Sequence, residues 1–230
     1  DEADEMLDIG FADDIDRILR VTPSSRQTAL FSATMPATIH FMVHRHLKQP
    51  TWVRIGGEAE PVEQVRQIYY QVASQDKNAG LEELLEIGHS GNTGKTADGQ
   101  TLIFRRTQKG VERLVDYLRR RGAPVKGIHG GLSQHQRDAV MQAFRAGHLK
   151  LLVATNLAAR GIDIPAIARV INFDTPQNVE EYVHRIGRTS RMGRPGTAIT
   201  FVGEWEFDDF EPIQKHVGDE MERGRLARYS

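Results

Sequence analysis

The stretches LLVAT (Leu151 to Thr155) and RVINF (Arg169 to Phe173) read as short strands that are apolar on both faces. A strand of that kind has to be covered from above and below, which is the situation of a parallel sheet sandwiched by helices. The rest of the chain repeats the theme. TALFSAT (Thr28 to Thr34), TWVRI (Thr51 to Ile55), VRQIYYQVA, TLIF, VKGIHG and TAITFV also read as strands. Helical stripes lie between them: Phe11, Ile15, Ile18 and Leu19; then Ile39, Met42, Val43, His46 and Leu47 behind Pro36, which suits a first helical turn. Leu81, Leu84 and Leu85 mark another, and Val111, Leu114, Val115 and Leu118 follow the i, i+3, i+4, i+7 rule and are closed by Gly122. Ser133 with Gln136 forms a capping box that opens a helix turning Val140 and Phe144 inward, and Asn178 with Glu181 forms a second, opening a helix through Ile186. The alternation predicts an α/β fold with a mainly parallel sheet.

GGEAEP (Gly56 to Pro61) reads as a linker, which divides the chain into residues 1–57 and 58–230. TAITFV is the last clear strand, and the acidic-then-basic tail from Glu204 reads as a final helix near Phe210 to Val217 running into a disordered extension. Lys plus Arg and Asp plus Glu nearly cancel, to a net charge of −1, so any nucleic-acid binding has to use a local basic surface. The absence of cysteine removes disulfides, thiol nucleophiles and thiolate-ligated zinc, and fits a reducing, cytoplasmic setting. No apolar run approaches the ~18 residues of a membrane helix, so no membrane partner is expected.

GKT at Gly94 to Thr96 resembles the end of a phosphate-binding loop, G-x-x-x-x-G-K-[ST]. The first glycine of that loop would be residue 89, which is His89, and GKT leaves a helix for a strand rather than the reverse. It reads as part of a polar surface loop. His40 and His44 are spaced i, i+4 and could share a metal, but they lie off the apolar stripe, read as solvent-facing and, even with His46 nearby, have no third ligand of suitable type.

The polar groups that matter stand at strand ends, where open α/β sheets bind ligands. Asp1, Glu2 and Asp4 supply carboxylates able to hold Mg²⁺ through water and to orient an attacking water. TNLAARGID (Thr155 to Asp163) sets Thr155, Arg160 and Asp163 after one buried strand, and Gly130–Gly131 follows another. HRIGRTSR (His184 to Arg191) puts three arginines in seven residues, with Arg188 and Arg191 able to point one way, and the planar guanidinium suits phosphate oxygens.

Taken together, the sequence resembles the DEAD-box family of ATP-dependent RNA helicases. Asp1-Glu-Ala-Asp4 matches its namesake motif, Ser32-Ala-Thr34 its third, LIFRRTQKG its fourth, Gln134-His-Gln-Arg137 its Q-x-x-R motif, and ATNLAARGID and HRIGRTSR its fifth and sixth. The resemblance spans about residues 1 to 203. Asn156 stands where many members have Asp, and Ser190 where most have Gly.

The resemblance implies two RecA-like domains with ATP between them and RNA across both, residues 1–57 being the C-terminal part of the first and 58–230 the second. The phosphate loop precedes the DEAD motif in the family, so the expectation is a piece of a helicase that is inactive by itself. Asp1 would hold Mg²⁺ through water and Glu2 would act on the hydrolytic water. Asp4, His184, Ser32 and Thr34 would couple RNA binding to hydrolysis. Asp163 would contact the ribose, and Arg188 and Arg191 would be arginine fingers on the γ-phosphate. Gly130, Gly131, Gln134, Arg137 and Thr155 would touch the RNA backbone without reading sequence; Arg160 would serve RNA, nucleotide or the partner domain. A non-catalytic RNA-binding module is the alternative for the 230 residues alone, and a related DNA helicase is disfavoured by the tetrad, SAT and HRIGRTSR together. Residues 1–57 are expected to be the less stable part, exposing an edge through which the chain self-associates.

Overall fold

The structure, a computed structural model, describes residues 1–8, 10–32, 34–54, 65–87, 99–159, 167–189 and 195–227, without the side chains of Glu5 and Asp8. The chain divides into two compact units, Asp1–Ala59 and Glu60–Ser230. The expected linker, the GKT loop, Arg160, Asp163 and Arg191 lie outside the described residues.

Unit 1 contains α1 (Ala3–Asp8), α2 (Ala12–Val21) and α3 (Ala37–His46). Ile39 and Val43 of α3 are buried with Ala3 in a small cluster that Leu7, Leu30, Met35 and Leu47 flank. Pro36 sits at the N-cap, and its carbonyl accepts from the Ile39 and His40 N–H groups. TALFSAT and TWVRI were expected to be strands. Among their described residues neither joins a ladder, although the Ala3 N–H donates to the Phe31 carbonyl at 3.1 Å. Apolar, β-prone sequence makes a strand only when a neighbour supplies a run of backbone partners, and one bond to Phe31 does not make a ladder.

Unit 2 is built on seven parallel strands: β1 (Val65–Gln71), β2 (Thr101–Phe104), β3 (Val125–Ile128), β4 (Leu151–Ala154), β5 (Arg169–Asn172), β6 (Gly196–Val202) and β7 (Met221–Arg223). Their order across the sheet is β3-β4-β2-β5-β6-β1-β7, and every ladder is parallel. The connecting helices are α4 (Lys77–Leu84), α5 (Gln108–Arg120), α6 (Gln134–Arg145), α7 (Asn156–Ala159), α8 (Val179–Ile186) and α9 (Phe207–Val217).

All four residues of β2 and of β4 are buried. Ile103, Leu151 and Val153 pack with Leu81, Val111, Leu114 and Leu118 of α4 and α5 on one face. Leu102, Phe104, Leu152 and Ala154 pack with Met141 and Phe144 of α6 and with Ala158 and Ala159 of α7 on the other. On that second face α8 and α9 cover β1 and β6 through Tyr182, Ile186, Phe210 and Ile213. Period-2 alternation thus feeds two cores, as strands apolar on both faces require.

Local signals behave as read. Ser133 and Gln136 complete a reciprocal capping box, and Gly122 ends α5 with φ +82°, where the Ala123 N–H returns to the Leu118 carbonyl. Only half of the second box forms: the Asn178 side chain accepts from the Glu181 N–H at 2.7 Å, but the Glu181 carboxylate turns to the Gln177 N–H instead. The tail also departs from expectation. It adds β7 to the edge beside β1, with Arg66 and Glu222 paired through both carboxylate oxygens, and Leu226 is buried against the first core. MER carries no alternation, so nothing local marks it as a strand.

Candidate functional site

In unit 1, Asp1 and Glu2 enter α1. Asp1 is exposed and its Oδ1 accepts from the Glu2 N–H at 2.9 Å. Glu2 has φ +51°, a left-handed backbone uncommon for a residue with a side chain and shared here by Gln49 and Glu86. Asp4 is buried to 1% exposure. Its Oδ2 accepts from both the N–H and the hydroxyl of Thr34 at 2.8 Å, and its own N–H donates to Ser32 Oγ at 3.2 Å. The tetrad and the SAT segment are therefore one hydrogen-bonded assembly, 30 residues apart in sequence. Charge-assisted bonds of this kind are about twice as strong as neutral ones.

The three histidines separate. His46 Nε2 lies 2.7 Å from Asp16 Oδ1, tying α3 to α2, and His40 stacks at 5.7 Å from the Trp52 ring. Among the described residues none of His40, His44 and His46 joins a group of three metal-ligating side chains.

In unit 2 the expected RNA-side residues gather at the carboxyl ends of β3 and β4, which pair directly, Ile128 opposite Ala154. Gly130 and Gly131 are exposed there, and the Thr155 N–H bonds to the Ile128 carbonyl. The Gly131 N–H donates to His129 Nδ1 at 3.2 Å, and a Cβ on Gly131 would collide with the Gln108 side chain. Gln134, bonded to Asp138 at 2.7 Å, and Arg137 stand on the first turn of α6 just beyond. Exposed Gly130 and Gly131, Thr155 and the first turn of α6 thus share one corner of the unit.

His184 lies on α8, and Arg188 follows its end, with its N–H bonded to the Arg185 carbonyl at 3.2 Å. Thr189 anchors the next turn by donating to the Ile167 carbonyl at 2.5 Å. Within the described part of HRIGRTSR the arginines part company. Arg185 turns inward and is buried to 3% exposure. Its Nε donates to Asn156 Oδ1 at 2.8 Å, its Nη1 to Asn172 Oδ1 at 3.1 Å and to the Asp174 carbonyl at 2.9 Å, and its Nη2 to Glu181 at 2.5 Å. Burial draws the guanidinium below its ordinary value, and the Glu181 carboxylate opposes that. Sequence reading missed this residue. The signal available was Glu181 at i−4 from Arg185 on one helix.

The fourth-motif segment is held at the same edge. Arg105 stacks on Phe173 at 4.3 Å with its Nε 3.1 Å from Asp174 Oδ2, off the angle of a hydrogen bond. The Arg106 N–H donates to the same Asp174 oxygen at 2.7 Å.

Family models agree with this arrangement. The model described as helicase conserved C-terminal domain matches residues 76–193, about half of the chain, and the DEAD/DEAH box helicase model matches residues 1–42. The chain belongs to the DEAD-box family of ATP-dependent RNA helicases. The DEAD-box ATP-dependent RNA helicase CshA of Geobacillus kaustophilus is 42% identical over 223 residues, covering 97% of this chain and 46% of that protein. The chain thus spans less than half the length of the curated relatives it matches. S. cerevisiae Dbp5 bound to RNA and ADP BeF3 is similar with a TM-score of 0.85 at 34% identity, over 99% of this chain and 59% of that one. The C-terminal domain of Dbp5 alone gives 0.61 at 37% identity, over 71% of this chain and 91% of that one. These similarities support the RecA-like α/β class of unit 2.

Proposed function

We propose that the protein to which this chain belongs couples ATP binding and hydrolysis to local RNA unwinding or to remodelling of RNA–protein complexes in the cytoplasm. The observation that carries the reading is Asp4 fastened to both ends of the SAT segment, its carboxylate accepting from Thr34 and its backbone N–H donating to Ser32. A carboxylate next to a hydrolytic site, rigidly joined to a second motif, is what a nucleotide-responsive switch needs. Residues 1–57 serve as the C-terminal part of the ATP-binding domain and residues 58–230 as the second RecA-like domain.

Asp1, exposed and at the entry to α1, fits Mg²⁺ held through water, since Mg²⁺ keeps several waters and uses one or two carboxylates beside the phosphates. The ion would neutralise charge developing on the phosphates. Glu2 orients the hydrolytic water; Asp4, Ser32, Thr34 and His184 couple the motifs. Asp163 takes the ribose, and Arg188 and Arg191 meet the γ-phosphate. Gly130, Gly131, Gln134, Arg137 and Thr155 hold the RNA backbone irrespective of sequence, with Arg160 nearby in the chain.

The test is RNA-stimulated ATPase of the longer protein. Arg188→Ala should lower turnover by about 10³-fold or more, the value of an arginine finger; an unchanged rate would remove the assignment. For the 230 residues alone, which align to under half of a relative and contain no complete phosphate loop, RNA binding without turnover is the second reading. Salt-sensitive RNA affinity with no ATP hydrolysis would support it, and hydrolysis abolished by Lys95→Ala would refute it. Unit 1 exposes Ile18 at 61%, Val21 at 83%, Phe31 at 64% and Phe41 at 63%, which supports self-association through this unit. Light scattering over a concentration series checks it, a constant monomer mass being the contrary result.

A further inference from the structure

Arg185 draws together more of unit 2 than any single motif accounts for. Strands β4, β2 and β5 are neighbours in the sheet. The guanidinium of Arg185 touches the carboxyl end of each: Asn156 just past β4, the Phe104 ring at the end of β2 at 5.0 Å, and Asn172 and Asp174 at and beyond the end of β5. Asn172 continues the chain of bonds to Thr200 of β6 at 3.0 Å. Asn156 immediately follows Thr155, and Arg185 lies three residues before Arg188. One side chain therefore spans the RNA-side and phosphate-side loops of the unit.

The distribution of charge around it is specific. A buried guanidinium needs a counter-charge and acceptors for its fork. Glu181 supplies the only carboxylate that the described residues set on it by hydrogen bond, and the Glu181 Oε1 is shared with the amide of Asn156, whose Nδ2 donates to it. Asn156 therefore works in two directions, accepting from Arg185 with Oδ1 and donating to Glu181 with Nδ2. An aspartate side chain offers no donor and would set a second carboxylate against Glu181 at a half-buried position.

We propose that Arg185 is a positioning residue that holds the Thr155 loop in register with the helix leading to Arg188, and that in this chain Asn156 and Glu181 are a matched amide–carboxylate pair. The proposal rests on the reading of Thr155 as an RNA contact. It makes Asn156→Asp harmful here although many family members carry aspartate at that place, and it makes the damage reversible by exchanging the two groups.

The experiment uses the 230-residue chain and its variants Asn156→Asp, Glu181→Gln and the double substitution. Affinity for a fluorescent ten-nucleotide oligouridylate is read by anisotropy. The Arg185 Nε–H resonance, shielded from water in the wild type, is read by NMR. Each single substitution should weaken RNA binding about tenfold and speed exchange of that proton. The double substitution, with amide and carboxylate reversed, should return affinity to within about threefold of wild type and restore protection. Wild-type affinity and protection in Asn156→Asp would overturn the proposal, as would a double variant no better than the worse single one. If the wild-type chain shows no RNA binding, the RNA reading itself fails, and the exchange of the Arg185 proton across the same variants still decides whether the amide–carboxylate pair exists.

Discussion

Single residues in this protein matter chiefly through the hydrogen bonds they hold in common with others. Asp4 accepts two bonds from Thr34, so Asp4→Ala leaves that hydroxyl and N–H without their charged acceptor. Loss of charge-assisted bonds at a buried site should destabilise unit 1 by about 2–3 kcal/mol. The chain has two tryptophans, Trp52 in unit 1 and Trp205 in unit 2. Denaturant unfolding followed by Trp52 fluorescence in a Trp205→Phe background reads the effect where it arises, and an unshifted midpoint would refute it. Tyr182 illustrates the same logic in unit 2. Its hydroxyl donates to Gln67 Oε1 at 2.6 Å inside the core, and burial pushes its ionisation well up. Tyr182→Phe strands the Gln67 oxygen and should lower stability by about 1–2 kcal/mol, measured by thermal or urea unfolding.

At the scale of elements, α6 is the piece most exactingly placed by local chemistry. Ser133 and Gln136 close its first turn on both sides, and the corner that carries Gly130, Gly131 and Arg137 inherits its direction. Ser133→Ala should cost about 1 kcal/mol and weaken RNA binding in the same variant, because the first turn of α6 frays. Stability falling without any change in RNA affinity would separate the cap from the binding corner. α8 shows the contrasting case. Its cap is half formed because the Glu181 carboxylate is drawn to Asn156, Arg185 and the Gln177 N–H, so the local motif yields to a tertiary demand.

At the scale of the molecule, the two units differ in how they are held. Unit 2 has three buried clusters on the two faces of a seven-stranded sheet, while none of the residues of α2 in unit 1 is buried. Amides of α2 should therefore exchange with solvent much faster than those of β4, by hydrogen-exchange mass spectrometry; equal protection would contradict this. Unit 2 also carries a buried ion pair, Lys77 with Glu206, reinforced by Thr175, by the Gly203 N–H and by the Phe173 carbonyl. Burial pushes the Glu206 carboxyl up, but the hydrogen bond and charge of Lys77, with the Gly203 N–H, outweigh it and leave it below its ordinary value of 4.5. A carboxyl that is more acidic folded than unfolded contributes stability above the unfolded value and loses it as pH falls through that value toward the folded one. The stability of unit 2, read by thermal unfolding, should accordingly fall below about pH 4.5, and Glu206→Gln should cost about 3 kcal/mol of it at neutral pH while flattening that acid limb.

The parallel sheet, its helices and most of their ends were legible from the order of residues, because apolar periodicity and caps act over a few positions. TLIF and LLVA were legible because they are short, mainly apolar runs, and the stop at Gly122 and the box at Ser133 because they close within one turn. The tetrad, SAT and the strand-end loops were legible as motifs for the same reason. What depended on long-range pairing was decided by the tertiary structure. The described residues of TALFSAT and TWVRI join no ladder because a strand requires a neighbour. MER becomes β7 because β1 offers an open edge. Arg185, in sequence one of three arginines in HRIGRTSR, is buried because Asn156, Asn172, Asp174 and Glu181 bring acceptors to its fork and Phe104 brings a ring. Sequence fixes which groups are available within a turn of helix or a run of strand; only the fold sets which of them meet, and a buried charge is tolerable only where they do.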